Sequence, residues 1–369
     1  MVDYLKLAKP LLQGMGKYKL APEMEKMQEK YHVKNIIKMA ANENVFGPSQ
    51  KALEAISQYS DEIFLYPEHR LKEFFQAIHE TQNVPVDCLM ATVGATGALN
   101  GLGDTFIVPG DEVIMSDLPY MQYPMIVRRN GGIPVEVPLD KELHMDFKSM
   151  RAAITDKTKL ILICNPGNPT GVAEDSKELE KFIRSVPEDV LVVVDEAYLD
   201  FASTPGCTES MKKLVPELKN VMVLKTFSKI HAMAGLRTGY IIASPELIYV
   251  LGKGGTVSGV NKLGMVAAIA SMKDDEHYKA SYKFVKLGRD YLTKEFQKFG
   301  WKVYRSDANF LYVDTPYTAA SVFEGLIRHG ILIREFECIR VSVGTKEQNE
   351  YLVAVLKELI TAGSLERKK

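Results

Sequence analysis

The chain has 369 residues, with 46 basic against 47 acidic side chains and a formal net charge of −1. That balance, without a long Lys/Arg run, argues against nucleic acid as a partner, and no segment approaches the roughly 20 apolar residues that span a bilayer. Cys88, Cys164, Cys207 and Cys338 lie far apart without a CxxC pair, and the seven histidines contain no HExxH, so neither a disulfide framework nor a metal site is expected. Residues 1–19 interleave charge with apolar positions, unlike a signal peptide, and the reading is a cytoplasmic protein with reduced thiols, Cys88 and Cys164 being small buried strand residues.

In chain order, residues 1–37 carry helix-like stretches and no strand of the large sheet, and are expected to cover a smaller domain or a partner subunit. Residues 38–245 form the large domain. Within it, Val/Ile-rich runs recur at 89–93, 112–115, 134–137, 159–164, 190–194, 221–224 and 239–243, separated by helical or turn-rich stretches. Nearly continuous apolar strands alternating with helices predict an α/β fold whose sheet is largely parallel and buried on both faces. Sites in such sheets gather beyond the carboxyl ends of the strands. Residues 246–369 are expected to form a smaller α/β unit. It opens with an amphipathic helix over 274–300, in which Val285, Leu292, Phe296 and Phe299 share a face, Gly288 fills a gap, and Phe284, Leu287 and Tyr291 widen the stripe. Short strands at 310–313 and 339–343 follow, then a final helix from about Lys346 carrying Tyr351, Leu352, Val355, Leu356 and Ile360.

Three segments directly after strands carry groups suited to a phosphorylated, electron-withdrawing cofactor. Gly94-Ala-Thr-Gly97-Ala lets backbone N–H groups approach a phosphate at a helix N-terminus, although such a turn is often only a turn. Val192-Val-Val-Asp195-Glu-Ala-Tyr198 delivers an acid from a run so apolar that its carboxylate needs a cation, such as a protonated pyridine nitrogen; the plainer reading is a helix-capping Asp. Leu224-Lys-Thr226-Phe-Ser228-Lys229, followed by His231 and Gly235-Leu-Arg237, offers a lysine that burial and nearby cations can deprotonate, with hydroxyls and a forked cation for the phosphate. Lys225 competes as an exposed lysine of no special role, and His231 reads as packing.

These strings, TFSK with AGLR, DEAY, and Asn165-Pro-Gly-Asn168-Pro-Thr-Gly171, resemble the fold type I pyridoxal-phosphate aminotransferases and stand in that family's order. More narrowly, Ala41-Asn-Glu-Asn-Val-Phe-Gly-Pro-Ser49, Tyr66-Pro-Glu68 and Ile339-Arg-Val-Ser-Val-Gly-Thr345 resemble the histidinol-phosphate aminotransferase branch, over roughly residues 35–350. The resemblance implies an aspartate-aminotransferase-like large domain with a mostly parallel seven-stranded sheet and pyridoxal 5'-phosphate as cofactor. It assigns Lys229 to the covalent link with the cofactor, Asp195 to the ring nitrogen, and Asn168 and Tyr198 to the phenolic oxygen. Ala95 and Thr96 through their backbones, with Thr226, Ser228 and Arg237, take the phosphate, and Tyr120 stacks on the ring. Tyr66 is implied to reach the cofactor phosphate of a neighbouring subunit, making a homodimer. Arg340 is implied to clamp the substrate carboxylate, its plainer reading being a solvent-facing strand arginine, while Arg334, Tyr18 and Asn44 are candidate substrate contacts.

The expected activity is transamination of histidinol phosphate to imidazole-acetol phosphate with 2-oxoglutarate as acceptor, in histidine biosynthesis. Another aminotransferase, or a decarboxylase, lyase or cyclase of the same fold, is the alternative. A nicotinamide oxidoreductase fails for want of a GxGxxG at a first strand-to-helix turn, and a non-catalytic regulator would lack the lysine or carry a DNA-binding module. The sequence departs from the branch in Gly97-Ala-Leu-Asn100, which is closer to the aspartate aminotransferase loop, in Val45 for the usual proline, in His231 at a commonly aromatic position, and in the short 334–340 loop with Glu335 and Glu337.

Overall fold

In the computed structural model, which describes residues 7–8, 10–12, 24–254 and 259–368, the seven Val/Ile-rich runs become the seven strands of one sheet. The described chain enters through α1 (Met24–Tyr31), β1 (Ile37–Lys38), α2 (Gln50–Tyr59) and α3 (Glu68–Gln82). The sheet strands are β2 (Leu89–Thr92), β3 (Glu112–Ser116), β4 (Ile133–Val137), β5 (Thr158–Cys164), β6 (Leu191–Asp195), β7 (Val221–Thr226) and β8 (Gly239–Ala243). Between them run α4 (Gly94–Phe106), α5 (Gln122–Arg129), α6 (Phe147–Ala152) and α7 (Ser176–Ser185). The spatial order is β2-β8-β7-β6-β5-β3-β4, with β8 antiparallel to both its neighbours and the other adjacent pairs parallel.

The single reversed strand positions the chemistry. Because β8 runs against β7, the loop 227–238 that joins them stays at the carboxyl end of the parallel strands. Because β2 is antiparallel to β8 it points the same way as β7, so α4 also starts at that end. The motifs around Gly94, Asp195, Lys229 and Arg237 are thereby gathered on one rim.

Strand alternation builds a core on each face. Ile161, Ile163, Val192, Val194, Val221 and Val223 join one cluster with Phe74 and Ile78 of α3 and Leu179 and Phe182 of α7. Leu160, Leu162, Val193, Met222 and Leu224 join the other with Leu99 and Leu102 of α4 and Ile126 of α5. Each such side chain, fully buried, contributes roughly 1.5–3 kcal/mol, so a charge at Val194 would break the fold.

After α8 (Pro245–Lys253), α9 (Lys262–Met272) carries Met265, Ala267 and Ala268 into the first of these cores and packs on α2 and α3. Residues 260–272 thus sit with the large sheet, although the division after 245 expected from sequence puts them in the smaller unit. That unit's core is built instead from α10 (Asp275–Lys298) onward: β9 (Lys302–Val303), β10 (Phe310–Asp314), α11 (Ala319–Ile327), β11 (Ile331–Leu332), β12 (Arg334–Glu335), β13 (Ile339–Ser342) and α12 (Lys346–Thr361). Its sheet has the order β12-β13-β10-β9, and β1 pairs in parallel with β11. Met27 of α1 packs on Ile327 and Leu332, so residues 24–31 lie against this smaller unit.

α10 buries Val285, Leu292 and Phe296 as its periodicity predicts, and Gly288 passes so close to Val343 that a Cβ would stand 2.5 Å from its methyl carbon. Leu287 departs from the expected stripe, at 58% exposed, because the packed face is narrower than the pattern suggests. Buried Arg289 shares that face and donates to the carbonyls of Phe201 (3.3 Å) and Ala308 (2.9 Å), tying α10 to the segment after β6. Thr345 and Gln348 form a capping box on α12, which buries Leu352, Val355, Leu356 and Leu359 and leaves Tyr351 exposed.

Candidate active site

A cavity of about 310 Å³ opens at the carboxyl rim of β5, β6 and β7, lined on one side by the large sheet and on the other by β12, β13 and the segment after β1. Among its lining residues are Ala95, Thr96, Tyr120, Asn168, Asp195, Tyr198, Thr226, Ser228, Lys229, Arg237, Arg334 and Arg340. Twelve positions singled out from motifs hundreds of residues apart are therefore brought together.

Asp195 ends β6 and is 3% exposed. Burial raises its carboxyl to about pH 6, against the opposing donation of the Ala197 amide (3.1 Å to Oδ1) and the Tyr123 hydroxyl (3.2 Å to Oδ2). Its bond to Ala197 N closes a local turn two residues on; the 3-10 turn that follows, Leu199–Phe201, starts after Tyr198 without a side-chain cap, so Asp195 is not the helix cap of the plainer reading, and its carboxylate faces the cavity. Among the described residues no Lys or Arg forms an ion pair with it. A buried acid left so is a place for a cation.

Lys229 lies in the β7–β8 loop, half-buried, with Nζ donating to the Asn42 carbonyl at 3.0 Å and 5.3 Å from the Tyr198 ring centre. Burial, then the nearby Arg340 and Arg237 cations, lower its ammonium to about pH 8. A usable fraction of free amine at neutral pH follows, as a nucleophile toward an aldehyde requires.

On the adjoining rim, no side chain caps α4, leaving its first amides for an anion. Thr226 Oγ1 lies 3.0 Å from Ser228 Oγ, and Arg237 Nη1 donates to Ser228 Oγ at 3.2 Å and to the Ala234 carbonyl at 2.9 Å. Gly94 lies at φ +64°, backbone that favours glycine, and a Cβ there would also displace Arg237 Nη2, which would stand 2.7 Å away. Among the described residues no carboxylate pairs with Arg237. On the opposite side of Lys229, Tyr198 Oη receives from Asn42 Nδ2 (3.1 Å) and Asn168 Nδ2 (3.4 Å).

Some expected residues stand elsewhere. Asn44, 8% exposed, spends its amide on the carbonyls of Lys229 (3.1 Å) and Ile230 (3.3 Å) and on Ser281 Oγ (2.8 Å), so it braces the lysine loop from behind rather than facing substrate. Its neighbour Asn42 takes the cavity position; the motif was legible, the member of it was not. Tyr66, 85% exposed, is outside the cavity. Tyr18 lies outside the described residues. Lys225 is no exposed lysine: strand alternation turns it to the other face of the sheet, where it is buried 3.4 Å from Glu196 and 3.7 Å from Asp200. His231 lies half-buried there, bonded through Nδ1 to Ser271 Oγ (2.7 Å) and held down to about pH 4 by desolvation, which makes it a neutral packing group.

A helix start and cation for a phosphate, a buried acid for a protonated ring nitrogen, paired donors for a phenolic oxygen and an acidified lysine for an aldehyde are the complement of one molecule. Fold and site define a pyridoxal-phosphate-dependent enzyme of fold type I. The family model for aminotransferase class I and II matches residues 34–356. Histidinol-phosphate aminotransferase of Moorella thermoacetica is 37% identical over 343 residues, covering 91% of this chain and 89% of its own, and that of Caldicellulosiruptor saccharolyticus is 33% identical, covering 95% and 99%. The structure of histidinol-phosphate aminotransferase from Sinorhizobium meliloti in complex with pyridoxal-5'-phosphate superposes with a TM-score of 0.89 at 26% identity, covering 96% of this chain and 98% of that one. Aspartate aminotransferase from Thermus thermophilus shares the fold, with a TM-score of 0.82 at 22% identity and 95% and 99% covered. The chain belongs to the class I and II aminotransferases, and its sequence relatives place it on their histidinol-phosphate branch.

Proposed function

We propose that the protein transfers the amino group of histidinol phosphate to 2-oxoglutarate. The observation that carries this reading is the pairing of two cations. Arg334 of β12 and Arg340 of β13 are direct cross-strand partners, and both line the cavity. Opposed residues of an antiparallel pair share a face, and like charges placed so repel unless an anion lies between them. The tight turn at 336–338, closed by Phe336 N to the Cys338 carbonyl (2.8 Å), creates this register. Alternation turns Glu335 outward and Glu337 is exposed at the turn, and among the described residues neither forms an ion pair with Arg334, whose guanidinium donates to Met121 Sδ at 3.6 Å.

Two neighbouring guanidinium groups suit a phosphate dianion in one half of the reaction and two carboxylates in the other. Arg340 is held ready by donating to Asn168 Oδ1 and to the Ala40 carbonyl, both at 2.6 Å. The names of the relatives support histidinol phosphate as the amine.

When bound, pyridoxal phosphate supplies an electron sink for the bond broken at the substrate carbon. Ala95, Thr96, Thr226, Ser228 and Arg237 would hold its phosphate, Asp195 its ring nitrogen, Asn168 and Tyr198 its phenolic oxygen, and Tyr120 its face. Lys229 would hold it through its amine and, once the substrate amine has taken that place, would serve as the base for the proton on the substrate carbon. We place Tyr66 at the cofactor phosphate of a second copy; its position in the exposed run Ile63-Phe64-Leu65-Tyr66 supports a homodimer.

The test is one amine at a time, without keto acid, added to the yellow holoprotein. Histidinol phosphate should discharge the colour in a single turnover and release imidazole-acetol phosphate, and 2-oxoglutarate should restore the colour. Discharge only by another amine would discard the substrate, and release of carbon dioxide or ammonia would discard transamination.

A further inference from the structure

Tyr123 opens none of the motifs above, yet it reaches the centre of the site. It lies in the first turn of α5, is 2% exposed, and donates its hydroxyl to Asp195 Oδ2 at 3.2 Å. The other carboxylate oxygen receives the Ala197 amide. A carboxylate has about four acceptor positions, and these two donors, from separate elements, fix both oxygens and leave the remaining positions for the cavity.

The same ring stands edge-on to Tyr120, at 5.7 Å between centres and 81° between planes, and the Tyr123 amide donates to the Tyr120 carbonyl at 2.8 Å. One side chain therefore braces both the ring-stacking tyrosine and the ring-nitrogen carboxylate. Among the described residues no other side chain is hydrogen-bonded to the Asp195 carboxylate, on which Lys229 acts only through its charge. Cys164, its register partner on β5, turns its thiol to the Pro166 carbonyl at 3.3 Å, and Glu196 adds negative charge.

We infer that Tyr123 is a positioning residue for the reaction, whose hydroxyl holds the Asp195 carboxylate ionised and aimed so that the proton shared with the cofactor ring stays on the ring nitrogen. The physical reason lies in competition for one proton. A donor bonded to a carboxylate stabilises its charged form. With that donor gone, buried Asp195 becomes the better base, the proton moves toward its oxygen, and the ring loses the charge that makes it an electron sink. A hydrophobic filler would need the ring of Tyr123 but not its oxygen.

The test uses holoenzyme loaded with pyridoxal phosphate carrying ¹⁵N in its ring. In Tyr123→Phe the ring-nitrogen signal should move toward its unprotonated position, kcat should fall roughly 10- to 100-fold, as for loss of a hydrogen bond to a charged group, and KM for the amine should hold. Placing a fluorinated, more acidic tyrosine at 123 strengthens the donor and should move the signal the opposite way. A nitrogen signal that stays put in both proteins overturns the inference and leaves Tyr123 a packing residue, whatever happens to thermal stability or kcat.

Discussion

The ends of β6 and β7 carry charge on both faces of the sheet, and the two faces treat it differently. On one, Glu196 and Lys225 are buried against each other, with Asp200 close by. On the other, one residue along each strand, Asp195 and Thr226 face the cavity, and among the described residues no Lys or Arg forms an ion pair with Asp195. The first face satisfies its charges within the chain. The second gathers a buried acid, Arg237 and an acidified Lys229 around one cavity, each hydrogen-bonded and none in an ion pair among the described residues, at a cost to stability that a ligand of matching charge removes. Active sites are where such costs are tolerated.

Four changes break or sharpen that contrast. Lys229→Ala should lower turnover by roughly 10⁴-fold or more, since it removes both the covalent carrier and the proton shuttle; steady-state assays against cofactor-loaded protein check it. Lys225→Met leaves buried Glu196 and half-buried Asp200 without their cation and should cost about 3–5 kcal/mol in denaturant unfolding. Lys225→Arg should restore most of it, and the Met variant, while folded in the cold, should still take up cofactor, because Lys225 faces away from the site.

Asp195→Asn should do the reverse. The folded carboxyl holds its proton up to about pH 6, while the unfolded one releases it near 3.8, so the cofactor-free protein loses stability as pH rises between those values and stays penalised above. At about 1.36 kcal/mol per unit, removing the charge should stabilise the cofactor-free protein at pH 7 by about 3 kcal/mol while impairing catalysis. Equal stability of the two proteins from pH 4 to 8 would contradict it. The smallest effect is on loading. With Lys229 lowered to about pH 8, the rate of cofactor capture should climb about tenfold per pH unit below 8 and level off above it, whereas an ordinary lysine would keep climbing to about 10.4.

The sheet was legible because each strand is an uninterrupted apolar run between turn signals, and a strand buried on both faces needs little else. The site was legible where a polar residue ends such a run, as Asp195 does, and where a lysine follows a strand among hydroxyls, as Lys229 does after Thr226 and Ser228. Asn42 and Asn44 stand two apart in one motif, and only the fold decides which faces the cavity. Lys225 is marked off from an exposed lysine by its place in an apolar strand and by Glu196, which follows the end of the neighbouring strand. Tyr123 sits on the apolar face of its helix with Ile126 and Val127, and nothing local marks its hydroxyl as bonded to a residue 72 positions away. The division at 245 rested on a change of texture, whereas α9 owes its place to contacts with α2 and α3, some 200 residues earlier.

The contrast between the two faces is tested most directly by asking which lysine carries the cofactor. Holoprotein reduced with borohydride and digested should yield one peptide bearing the cofactor, with the modification on Lys229 and none on Lys225. Modification of Lys225, or of neither, would contradict the account of both faces at once.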